Sequence, residues 1–205
     1  FARIPGRSIV YWASEGMLAA FKRGVSLAEV ARPKVGLQTG DNGRFLRLWF
    51  EVSAPRSYLT ATSRENADVS GTRWFPHNKG GSFRKWWGNQ DYLINWENDG
   101  KEVWDFRPRS VVRNPDCYFK PCVSWSNVST DSPSFRFYNE NFIFSHVGQA
   151  LFPDAEHQNI VISFVNSTVV TKILEAIAPG THFEVGQIKT LPWIEPESFD
   201  PAPIE

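Results

Sequence analysis

Cysteine, methionine and long apolar runs are all scarce in this chain. Of 205 residues, two are Cys and one is Met. Two Cys exclude a disulfide-dense secreted scaffold. No apolar run approaches the roughly 18 residues of a membrane span, and no signal-peptide pattern opens the chain. The chain starts at Phe1 without Met, which reads as a domain excised from a longer protein. A Gly-rich P-loop, a dinucleotide fingerprint and a G-x-S-x-G elbow are absent. The four His (77, 146, 157 and 182) lie far apart with no HExxH spacing, so each reads as a local hydrogen-bonding group. Cys117 and Cys122 have no second ligand pair at zinc spacing and read as reduced thiols, at least one of them buried. Asn127-Val-Ser129 and Asn166-Ser-Thr168 match the glycosylation pattern, which carries no weight without a secretory signal. An autonomous enzyme is therefore not supported.

Aromatics are abundant. They make up 15% of the chain, with nine Trp and sixteen Phe, and hydrophobic residues reach 41%. That composition excludes disorder and supports one domain over 1–205 with a sizeable core. The formal net charge is zero, but it is segregated. Residues 1–113 hold eighteen Lys and Arg against eleven Asp and Glu, a balance of +7. Residues 114–205 hold four against eleven, a balance of −7. Thirteen of the fourteen Arg lie in the basic part. Arg suits phosphates and guanine edges, so the basic half points to a polyanion, unless the two halves neutralise each other inside the fold.

The pattern along the chain predicts an α+β fold. An amphipathic helix is expected over 8–23, with Ser8 as N-cap, Trp12, Met17 and Phe21 on one face, and Gly24 after its end. Val25–Val30 reads as a short continuation. Val35–Phe45 is a tight loop with three Gly in eight positions. Leu46–Val52 alternates like a strand, and Ser63–Val69 suits a short helix. Tyr92–Trp96 reads as a strand closed by Asn98-Asp99-Gly100, followed by a helical turn or two to 106. Val123–Val128 alternates, and Phe135–Tyr138 with Phe142–Ser145 reads as a hairpin around Asn139-Glu140-Asn141. Asp154 and Ser167 are the expected caps of two helices, ending near Val165 and Ala178. The Pro-rich tail from Leu191 should be extended. Together these give twisted, mainly antiparallel sheets packed by an N-terminal helix and a C-terminal helix pair.

Phosphate binding needs cations and accessible backbone N–H groups, and base reading needs Arg, Asn or Gln on exposed backbone. Two Gly-bearing segments supply both. One offers Gln38, Thr39, Asn42 and Arg44. The other offers Asn78, Lys79, Arg84 and Lys85, with Gly80 and Gly81 allowing close approach. The aromatics around them, Trp74, Phe75, Phe83, Trp86 and Trp87, are expected in the core rather than as stacking platforms. A protein-interaction module, or a saccharide-binding domain using Trp with Asn and Asp, fits the same residues; the Arg-rich half argues against sugar.

The run Trp74-Phe-Pro-His-Asn-Lys-Gly-Gly-Ser-Phe-Arg-Lys-Trp-Trp-Gly88, with Asn95-Trp-Glu-Asn-Asp-Gly100, resembles the PglX family. These are adenine-specific DNA methyltransferases of BREX phage-defence systems. Gly36-Leu-Gln-Thr-Gly-Asp-Asn-Gly-Arg-Phe-Leu-Arg47, Phe164-Val-Asn-Ser167 and Glu184-Val-Gly-Gln-Ile-Lys-Thr-Leu-Pro192 fit the same family. In looser form they also resemble target recognition domains of type IIG enzymes, TaqI-like methyltransferases and type I specificity subunits. The resemblance implies a target-recognition-type region downstream of the catalytic domain, in a restriction–modification or BREX setting in the cytoplasm. It implies double-stranded DNA as ligand, the methyltransferase domain as an intramolecular partner, and other defence-system proteins as further partners, with no membrane. The family's catalytic core binds S-adenosylmethionine and carries Asn-Pro-Pro-Tyr. Asn114-Pro115-Asp116-Cys117 shares only the first two letters. No cofactor and no catalytic residue are therefore expected in this chain. Lys79, Arg84 and Lys85 are the expected phosphate contacts, and Gln38, Asn42 and Arg44 the expected base readers.

Overall fold

The structure is a computed structural model describing residues 13–130 and 132–195. In chain order the elements are α1 (Glu15–Arg23), β1 (Val25–Ser26), β2 (Ala31–Lys34), α2 (Asn42–Phe45), β3 (Leu46–Leu48), α3 (Arg64–Val69), β4 (Trp74–Asn78), β5 (Tyr92–Asn95), α4 (Glu97–Asp105), β6 (Cys122–Ser126), β7 (Phe135–Tyr138), β8 (Ile143–Phe144), β9 (Gly148–Pro153), α5 (Gln158–Val165), α6 (Thr168–Ile177), α7 (Val185–Ile188) and β10 (Pro192–Trp193). The fold is α+β, as the sequence predicts. One antiparallel sheet runs β2-β9-β6-β7. A second runs β3-β5-β4-β8, antiparallel except for the β4–β8 pair. β1 and β10 form a short ribbon.

Side-chain alternation gives the first sheet two apolar faces. Val123, Trp125, Phe135 and Leu151 point to the helices, where they bury with Val161, Val170 and Leu174. Cys122, Tyr138 and Ala150 point the other way, into a core shared with Phe75, Ile94, Ile143 and Phe144 of the second sheet. The layers are thus helices, sheet and sheet. Each fully buried Leu or Phe contributes about 1.5–3 kcal/mol relative to exposure, so the two cores hold the layers in register.

The motifs quoted for the family resemblance fasten these layers together. Asn166 accepts a hydrogen bond from the Phe135 N–H (3.0 Å) and donates one to the Phe135 carbonyl (2.9 Å), so it closes the start of β7. Ser167 caps α6 by accepting from the Val170 N–H at 3.2 Å. Glu184 accepts from Asn127 at 3.0 Å and from Gln149, and Leu191 accepts from the Leu27 N–H at 2.9 Å. Gly36 packs so closely that a Cβ there would sit 2.1 Å from the Phe144 carbonyl oxygen.

Several expectations change. The first helix begins at Glu15, with Ser14 rather than Ser8 as its cap; Ser8 and Trp12 lie outside the described residues, as does most of the Pro-rich tail. Val25–Val30 is not helical continuation but β1 and a 3-10 turn at Leu27–Glu29, because Val25 and Ser26 pair with β10. The strand from Leu46 ends at Leu48, where Trp49–Glu51 turns off the sheet. β7 and β8 do not form a hairpin. β7 pairs with β6, whereas β8 crosses to the second sheet and runs beside β4. The crossing buries Ile143 and Phe144 between the sheets.

Candidate nucleic-acid interface

The two Gly-bearing segments leave the second sheet as neighbours. Asn78 pairs with Phe144, and Leu37 bridges the next residue, Ser145, from the opposite side. Both run parallel to this strand, so Gln38 and Lys79 emerge in the same direction. At a strand spacing of about 4.8 Å, their backbones lie roughly 10 Å apart. The Gln38 backbone also pairs with Val111, at 2.9 and 2.8 Å. Lys79 places its ammonium 4.3 Å from the Tyr92 ring centroid.

The eight residues singled out in sequence divide sharply. Thr39 is buried and donates to Asn42 Oδ1 at 2.6 Å, which orients the exposed Asn42 at the start of α2. Asp41 caps that turn, accepting from the Arg44 N–H at 3.0 Å. Asn78 is fully buried. Its amide donates to Ser124 (2.6 Å) and its carbonyl oxygen accepts from the Gly80 N–H (3.1 Å), so it is a strut between the sheets, out of reach of a duplex. Lys85 donates to the Asn166 carbonyl at 2.8 Å, at the C-terminus of α5, where a cation is favoured by the helix dipole. That contact commits its ammonium to the fold. Arg84 is exposed, and only its backbone is tied down, to Ser134 and Arg136.

The segment from Gly80 to Gly88 lies along the edge of β7. Trp86 exchanges backbone hydrogen bonds with Phe135 and Phe137, both at 2.9 Å. Arg136 supports it from below, fully buried, donating to Ser126, Ser134 and the Arg84 carbonyl. Burial lowers its pKa, and no carboxylate pairs with it among the described residues. Trp74 and Phe75 are core, as expected. Phe83, Trp86 and Trp87 are not; they are 47%, 51% and 54% exposed, because Trp86 takes a positive φ and Gly88 follows, turning the loop outward.

Arg44 belongs to a different cluster. Its guanidinium lies 5.0 Å from both the Phe45 and Phe106 rings and 3.6 Å from Glu102. Beside it, Arg44, Arg47, Arg56 and Arg73 line an open cleft of about 430 Å³ with Glu51 and Trp74. Arg47 and Arg73 stack on Trp74, at 5.3 and 5.7 Å. Arg47, Arg56 and Arg73 carry no sequence motif and are spread over 27 positions. The Arg–aromatic steps Arg44-Phe45 and Arg73-Trp74 are the one local signal of the cluster; strand pairing makes the rest.

The basic and acidic halves do not cancel through direct pairs. Among the described residues, every Lys or Arg ion pair of the basic part is made within it: Arg44 and Arg73 to Glu102, Arg64 to Asp99, and Lys101 to Asp105. No group of three or more metal-ligating side chains occurs among the described residues, and no single helix is long and apolar enough to cross a membrane.

No family model matches the chain. Two curated proteins do. The adenine-specific methyltransferase PglX of Lacticaseibacillus casei (strain Zhang) is 34% identical over 202 residues, 94% of this chain and 16% of the relative. The adenine-specific methyltransferase BrxX of Escherichia coli O9:H4 (strain HS) is 34% identical over 199 residues, 95% of this chain and again 16% of the relative. The chain thus spans about one sixth of the length of each relative it matches.

Proposed function

Because this chain is PglX-family sequence, homologous to one stretch of these adenine-specific methyltransferases, we propose that it is the part of such an enzyme that reads DNA sequence. The observation that carries the reading is the basic half itself. Among the described residues, its Lys and Arg ion pairs are all with carboxylates of the same half, which leaves that half a positive excess. A duplex meets such a surface through its phosphates, which fix register, while amide and guanidinium groups on exposed backbone read base edges. Gln38 and Asn42 are the candidates for base edges, with Lys79 on the neighbouring segment and Arg84 on the loop along β7 as phosphate contacts. Each good bidentate base contact would discriminate by about 1–3 kcal/mol.

Methyl transfer belongs to another part of the parent protein. S-adenosylmethionine would bind there, and the target adenine would be extruded into that domain once recognition has set its position. The helical layer and the acidic half stand behind the reading surface. The exposed Phe83, Trp86 and Trp87 are suited to packing against the catalytic domain of the same protein.

The test is duplex binding by the full-length protein across a salt series. The reading expects affinity to fall linearly with salt on logarithmic axes. Absence of duplex binding at low salt would remove it.

A further inference from the structure

We propose that the arginine cleft on the second sheet seats a phosphodiester of the nucleic-acid backbone; this deepens the DNA-reading assignment and rests on it. The four guanidiniums of Arg44, Arg47, Arg56 and Arg73 face two carboxylates, Glu51 and Glu102, a local excess of two positive charges. That excess remains after both carboxylates are counted. Glu51 accepts from the Leu48 N–H at 2.6 Å, and Glu102 is shared, 3.6 Å from Arg44 and 3.2 Å from Arg73. Arg47 and Arg56 have no carboxylate partner among the described residues.

Two of the donors are also held in place before any ligand arrives. Arg47 is fixed by the Gly43 and Leu46 carbonyls, at 2.7 and 2.6 Å, through one nitrogen, Nη1, and its guanidinium carbon lies 5.3 Å from the Trp74 ring centroid. Arg73 stacks on the same ring, and its buried Nε has no acceptor. Several guanidinium forks lining one cleft match a tetrahedral anion with several acceptor oxygens better than a single carboxylate. Trp49 and Phe50, 59% and 65% exposed, stand on the turn that also carries Glu51 of the cleft, and Trp49 lines a neighbouring cleft with Pro76 and Tyr92. Flat apolar rings beside a phosphate seat suit the sugar and base of a nucleotide in a polymer, and a free phosphate ion makes no use of them.

The test uses the full-length protein carrying Arg56→Gln and Arg73→Gln, a DNA duplex as probe, and inorganic phosphate as the second ligand. Each phosphate contact removed should lower the slope of log affinity against log salt by about 0.9. The double variant is therefore expected to lose about 0.9 of that slope and to keep the wild-type methylation sequence, since a phosphate contact carries no base information. Arg56→Gln alone, at an exposed side chain, keeps the test available if the double variant does not fold, with about half the effect expected. Wild-type duplex binding with an unchanged slope in the variants would overturn the cleft and leave the DNA-reading assignment standing. Stabilisation of the wild type by inorganic phosphate, lost in the variants while their DNA binding is unchanged, would mark a free-anion site and also overturn it. A wild type that binds no duplex would remove the assignment itself.

Discussion

At the scale of single residues, this chain separates groups that hold the fold from groups left to the surface. Asn78 bonds to both sheets and is fully buried, so Asn78→Ala leaves Ser124 and the Gly80 N–H short of partners. The expected cost is about 1–3 kcal/mol in chemical denaturation. Lys85→Ala removes a cation from the end of α5 and should cost about 0.3–1 kcal/mol of stability, without altering the salt slope of DNA binding. A reduced slope would return Lys85 to the phosphate contacts. His77 gives a pH signature. Burial pushes its pKa down from 6.5 to about 3, so the imidazole is neutral in the native state. The unfolded chain takes up that proton as pH falls through 6.5, hence the stability held by neutral His77 is complete above 6.5 and is lost progressively towards pH 3. The melting temperature of the wild type should therefore fall more steeply below pH 6.5 than that of His77→Gln. Parallel curves would contradict the assignment.

At the scale of elements, α6 and its cap make the clearest case. Ser167→Ala removes the acceptor for the Val170 N–H and should cost about 0.5–2 kcal/mol. Leu174→Ala opens the core between α6 and the first sheet and should cost about 2–5 kcal/mol, again by denaturation. Elements of this kind are legible in sequence because their signals are local. Ser63 and Ser167 cap α3 and α6 where hydroxyls precede apolar periodicity, and Asn98-Asp99-Gly100 does turn left-handed after β5. Elements defined by distant partners are not legible. β9 opens on Gly148 and closes on Pro153, residues that argue against a strand, yet it lies at the centre of the first sheet. Gly148 is required there because a Cβ would come within 2.4 Å of Asn78 Oδ1, a contact 70 residues away in sequence. The false hairpin at 135–145 has the same origin. Alternation identifies a strand but not the sheet it joins, and the burial of Ile143 and Phe144 beside β4 decides that. The candidate site follows this pattern. Gln38 and Lys79 could be named from their Gly-bearing loops, but Arg47, Arg56 and Arg73 converge only after β3, β5 and β4 pair.

At the scale of the whole molecule, the segregated charge has a structural counterpart. Among the described residues, every Lys or Arg ion pair of the positive half is made with that half's own carboxylates, while Asp116 and Asp154 of the acidic half line a cleft together with Arg32 and Lys34. The motifs that carry the sequence resemblance to the PglX family mostly secure the layers, as Asn166, Ser167 and Glu184 do. Side chains exposed between those fasteners can then differ without disturbing the layers, and base preference would reside in them. The most direct measurement is the methylation pattern left on genomic DNA by the full-length protein carrying Gln38→Ala and Asn42→Ala, read base by base against the wild type. A DNA-reading chain predicts a methylated sequence that is relaxed or changed at one or more positions. The same sequence methylated at the same rate would contradict it.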